Sequence, residues 1–143
     1  MASQEKSIIV GCLENEGVKT RFGSEVKMLI HPSFTKMEQN ASALWVTLPP
    51  GASTGRHNHP NEAEFEYIVS GKGVLKTGDD ESVVVEPLML VLNPPGLDHN
   101  VVNTGSEIMH LLRIHVPSLP GEGTHENLID QCIQAAEKSL QQK

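Results

Sequence analysis

Aromatic residues are scarce in this sequence. Phe22, Phe34, Trp45, Phe65 and Tyr67 make up 3% of 143 positions, too few ring faces for base stacking or a sugar platform. Lys and Arg number 11 against 18 Asp and Glu, a net charge of −7, and they form no cluster. That excludes a nucleic-acid partner, because phosphates reward clustered cations. No apolar run approaches the length of a membrane span, so no membrane partner is expected. The start, MASQEKSIIVG, places Glu5 and Lys6 before a very short apolar run and does not read as a signal peptide. Cysteine is limited to Cys12 and Cys132. With no C-x-x-C pair, neither a zinc knuckle nor a dithiol redox motif is available. Both thiols are expected to be buried, and the compartment to be reducing, hence cytoplasmic. There is no G-x-S-x-G elbow and no P-loop, and Gly71-Lys72-Gly73 reads as a hairpin turn rather than a phosphate cradle.

What remains is a chain long enough for one domain with a real core. Hydrophobic residues at 38% and charged residues at 20% are those of a globular protein. Short extended segments alternate with turn signals. They are expected at Ile8–Val10, Val18–Phe22, Val26–Ile30, Ala43–Leu48, Phe65–Val69, Val74–Lys76, Ser82–Val85, Leu88–Leu92, Asn100–Asn103 and Ile108–Val116. About ten short strands at close spacing point to an all-β fold. The prolines fall between strands, as sheet ladders require. The end differs: Gly121 and Gly123 form a link, Thr124 can cap a helix, and Glu126 suits its first turn. Leu128, Ile129, Cys132, Ile133, Ala136 and Leu140 then recur at helical spacing. The organisation is therefore a tail over 1–6, a β region over 7–120 and a C-terminal helical segment over 121–143. The helix's apolar stripe must cover either the β region or a second subunit.

The densest chemistry lies in HNHPNEAEFEYIVSGKG, residues 57–73. In extended chain, residues i and i+2 share a face, so His57 and His59 present two imidazoles together, half of a metal site. Pro60-Asn61 turns the chain, and Glu62, Glu64 and Glu66 are the candidate carboxylates. The spacing resembles the first motif of the cupins: Gly51, five residues, His57-x-His59, four residues, Glu64, six residues, Gly71. A second cupin-like motif follows: Pro94-x-Gly96, two residues, His99, three residues, Asn103. The glycine that the family places six residues before Pro94 is here Leu88, so that turn is open to a different construction. Gly51, Gly71 and Gly96 are expected to need unusual torsions.

The resemblance implies a cupin-type jelly-roll β-barrel. It also implies one divalent metal on His57, His59, Glu64 and His99. Three imidazoles and one carboxylate suit Fe, Mn, Zn or Ni, and also Cu. They leave coordination positions open for a small-molecule substrate. Period-2 alternation from Glu64 sends Glu66 and Ile68 inward, which makes Glu66 a candidate proton-transfer residue or the partner of a barrel arginine. Glu62, His31 and His125 are expected to be solvated, and Asn103 to be structural. Over 108–116 one face carries His110 and the other Arg113 and His115; alternation leaves open which lines the pocket.

As an enzyme, such a chain would act on a small oxygenated substrate, in the first instance as a dioxygenase. A non-oxidative lyase, isomerase, decarboxylase or cyclase is the alternative, and a small-molecule-binding module without catalysis is another. A homodimer is expected, with the N-terminal strands and C-terminal helix as contacts, since small jelly rolls leave edges to cover.

Overall fold

The structure is a computed structural model that describes residues 7–11, 16–35, 40–120 and 128–141. Nine strands lie among them: β1 (Val18–Lys19), β2 (Glu25–Ile30), β3 (Ser42–Leu48), β4 (Ala63–Ser70), β5 (Gly73–Thr77), β6 (Glu81–Val85), β7 (Leu90–Asn93), β8 (His99–Val102) and β9 (Met109–Val116). A one-turn helix α1 (Pro32–Thr35) follows β2, and α2 (Leu128–Gln141) closes the chain. A six-stranded antiparallel sheet runs β1-β2-β3-β9-β4-β7, and a three-stranded sheet runs β6-β5-β8. The two form a jelly-roll barrel. No described helix is long and apolar enough to cross a membrane.

Strict alternation sorts the side chains. In β3, Ser42, Leu44, Val46 and Leu48 are buried while Ala43, Trp45 and Thr47 are not. Met28, Val46, Leu48, Ile68, Val101, Met109 and Leu111 are essentially inaccessible and form the middle of the core. Burying each large apolar side chain stabilises the fold by roughly 1.5–3 kcal/mol. Gly71 shows why the first motif closes on glycine. Its φ is +81°, and a Cβ there would meet the Ile108 carbonyl oxygen at 2.8 Å.

Ile8–Val10 is not a strand: its residues pair with no sheet, and Ile9 is 90% exposed. Three β-branched residues favour extended chain, but propensity alone makes no strand without a pairing partner. The C-terminal helix forms as its periodicity predicts. Ile129, Cys132, Ile133 and Ala136 are buried in the same core as β2, so the stripe covers the barrel of its own chain. Burial pushes the Cys132 thiol up to about 12, which makes it an inert apolar filler. Cys12, His125 and the proposed cap residues lie outside the described residues.

Candidate metal centre

Three stretches of chain deliver the site. β4 turns Glu64, Glu66 and Ile68 inward, all essentially inaccessible, and leaves Phe65 and Tyr67 on the outer side. β9 runs antiparallel beside it, with Glu64 opposite His115, Glu66 opposite Arg113 and Ile68 opposite Leu111. That register settles the face of β9: Met109, Leu111, Arg113 and His115 point in. His110 lies outside, stacked on Trp45 with ring centroids 5.3 Å apart. His99 opens β8, and its backbone exchanges two hydrogen bonds with His57, of 2.9 and 3.1 Å. This isolated bridge holds the extended chain at His57 against β8, and it brings the two rings to 4.4 Å between centroids.

His57, His59, Glu64 and His99 thus meet, each offering a ligand atom within 4.8 Å of the others. Backbone carbonyls orient two of the imidazoles. His57 Nδ1 donates to the Gly55 carbonyl at 2.6 Å, and His99 Nδ1 donates to the Leu97 carbonyl at 2.9 Å. A carbonyl only accepts, so each Nδ1 carries a proton and each neutral ring keeps its lone pair on Nε2. This is how metal-binding imidazoles are held. His99 Nε2 lies 2.8 Å from Glu64 Oε2 but is not aligned for a hydrogen bond. A buried lone pair facing a carboxylate oxygen calls for a cation between them. Without one, a proton serves: burial lowers the His99 pKa, but contact with Glu64 outweighs it and the net shift is upward. His57 goes the other way. Burial, then the charges of Arg113 and His99, push it down to about 2, which keeps it neutral. Burial is also the main cause that lowers His59, against contact with Glu64. The donor set fits one divalent ion of the borderline, imidazole-preferring kind.

Behind the four stands a second polar layer. Asn93, at the end of β7, donates through Nδ2 to Glu64 Oε2 at 2.9 Å and to Glu66 Oε2 at 3.0 Å. Arg113 Nε donates to Glu66 Oε1 and lies 3.7 Å from Glu64 Oε1. His115 Nε2 donates to Glu64 Oε1 at 2.7 Å. One guanidinium therefore faces two buried carboxylates. Burial raises Glu64, but Arg113 and three imidazoles overcome it and hold the carboxyl well below its usual range. Burial raises Glu66 too, and there Arg113 only partly offsets burial and the charge of Glu64.

Two cavities adjoin the cluster. The inner one, about 40 Å³, is lined by His57, His59, Arg113 and His115, by the hydroxyl residues Thr20, Ser24 and Thr54, and by apolar residues that include Ile129 of α2. The outer one, about 510 Å³, meets it at Thr20, Thr54, His57 and Leu128. Its described lining includes Lys19, Arg21 and Arg56 and no acidic residue.

Sequence reasoning missed Asn93. Its signal was present, since it sits at the inward phase of β7 just before Pro94. Glu62 is buried, not solvated, because the inward phase of β4 begins one step before the strand itself. His31 is also buried: Nε2 donates to the Leu119 carbonyl at 2.8 Å, and Nδ1 meets Ser33 Oγ at 2.9 Å. Asn103 is structural, donating to the carbonyls of Leu48 and Glu107 and accepting from Gly105 N.

A family model described as a cupin domain matches residues 44–115. The chain belongs to the cupin family. It is 30% identical over 105 residues to an uncharacterised protein of Methanocaldococcus jannaschii, covering 73% of this chain and 82% of that one. It is 33% identical over 67 residues to an oxalate-binding protein of Thermotoga maritima, covering 47% and 54%. Among solved structures it resembles a predicted oxalate decarboxylase of T. maritima, with a TM-score of 0.65 and 25% identity over 76% of this cupin and 97% of that chain. It also resembles a Bacillus subtilis oxalate decarboxylase variant, with a TM-score of 0.64 and 25% identity over 72% and 28%.

Proposed function

We propose that this cupin holds one divalent ion on His57, His59, Glu64 and His99 and, beside it, binds a small oxygenated organic acid of the oxalate class, whose carbon–carbon bond it cleaves. The observation that carries this reading is the inner cavity. Its 40 Å³ corresponds to room for roughly one to three waters, and its polar lining combines three imidazoles and a guanidinium with the hydroxyls of Thr20, Ser24 and Thr54. A ligand there is a few heavy atoms in size and rich in oxygen. A bound ion would polarise two adjacent ligand oxygens. Val26, Leu44, Val46 and Ile129 supply apolar lining. The cationic residues of the outer cavity favour approach of an anion. The likeness to an oxalate-binding protein and to oxalate decarboxylases supports the same class.

A dioxygenase acting on a small oxygenated substrate, the first expectation from sequence, draws no support from these likenesses, which point to the oxalate class. The second reading is binding without turnover. It is favoured by Glu66, expected either to transfer a proton or to pair with a barrel arginine: it lines neither cavity, and its carboxylate is held by Arg113 and Asn93. The test is to load the protein with each of Mn, Fe, Ni, Zn and Co, add oxalate, and follow formate and carbon dioxide with and without O₂. Formate release matched by carbon dioxide supports cleavage. Oxalate bound but unchanged supports the binder. A loaded protein that ignores oxalate and other small carboxylates but takes neutral diols contradicts both.

A further inference from the structure

Arg113 is the one Lys or Arg among the described residues that is buried, at 6% exposure. A buried guanidinium needs both counter-charge and hydrogen-bond acceptors. The counter-charge is present: Nε is spent on Glu66, with Glu64 nearby. The acceptors are incomplete, because Nη2 is buried with no hydrogen-bond partner. Arg113 also lines the inner cavity alongside His57 and His59. A guanidinium that borders a cavity with its hydrogen-bonding capacity incomplete has room to take an acceptor there. Purely structural pairing with Glu66 would not require that cavity.

We propose that Arg113 is the carboxylate-recognising residue of this site. Its guanidinium takes one oxygen of an anionic ligand while Nε stays on Glu66, so a single planar group links the ligand to the carboxylate behind it. Glu66 and Asn93 act as positioning residues that fix the guanidinium. Lysine cannot replace it, because an ammonium is a point donor and cannot span both partners in one plane. The site then discriminates by charge: it accepts carboxylates and rejects neutral molecules of the same shape. This rests on the reading above that the four-residue cluster holds an ion.

The test uses Co²⁺-loaded protein and two isosteric probes small enough for the cavity, formate and formamide, titrated by the visible spectrum of the cobalt. Arg113→Met alone strands Glu66 and risks unfolding, so the variants are Arg113→Lys and the double change Arg113→Met with Glu66→Gln. Both should lose formate affinity by about tenfold to hundredfold, the range of one charge-assisted hydrogen bond, with formamide affinity unchanged. Loss of both probes in parallel would show a merely structural role and overturn the proposal, as would unchanged formate binding. A wild type that loads cobalt but takes no formate overturns the proposal and leaves the metal site standing. A wild type that loads no divalent ion in elemental analysis overturns both.

Discussion

β4 and β9 lie side by side along their whole length, yet the two halves of the pair bury opposite chemistry. At one end the facing residues are Glu64 with His115 and Glu66 with Arg113; at the other they are Ile68 with Leu111. All of these except Arg113, at 6%, are wholly buried. The apolar end lowers the free energy of folding simply by leaving water. The polar end has no such drive. Removing two carboxylates and a guanidinium from water is costly, and the charges offset it only by contacting one another. A barrel this size could be filled with Val and Leu throughout. That half of it is instead filled with mutually dependent charges locates function at that end, since perturbed groups gather where chemistry needs them.

The contrast can be broken from either end. Arg113→Met should be the harshest change, costing about 3–5 kcal/mol by leaving Glu66 buried without its partner. Adding Glu66→Gln should return part of that loss, as read from urea unfolding midpoints. Leu111→Ala, at the apolar end, should cost about 2–5 kcal/mol through lost burial and a cavity, yet leave metal stoichiometry untouched. A Leu111→Ala protein that folds but loses its metal would show that the ends are not separable. The smallest expected effect lies outside both. Leu88 holds φ at +75°, where glycine is favoured, with its side chain 81% exposed. Relief of that strain is worth about 1–2 kcal/mol, and glycine's extra freedom in the unfolded chain costs about 0.5–1. Leu88→Gly should therefore stabilise the protein slightly, with no change at either end of the barrel.

Leu88 also shows where the sequence was legible. The family's turn is kept in the backbone although its glycine is gone, so the motif specifies a conformation that leucine tolerates under strain. Strands such as β3 and β4 were readable because one buried face imposes period-2 alternation. The C-terminal helix was readable because its stripe has one consistent partner. β9 was ambiguous for a physical reason: both of its faces carry apolar residues and a histidine, and His110 is held outside by a tryptophan on another strand. Only the register against β4 decides, and register is a tertiary fact. His31 was misread for the same reason, as its partner Leu119 is 88 residues away.

The central claim is that the polar end is built around an ion. The most direct test is the divalent-metal content per chain of the wild type and of His99→Ala after stripping and reloading at neutral pH, by elemental analysis. About one ion per wild-type chain is expected, released on acidification as the imidazoles protonate, and a small fraction of that in His99→Ala. No bound ion in the wild type, or full occupancy in His99→Ala, would contradict it.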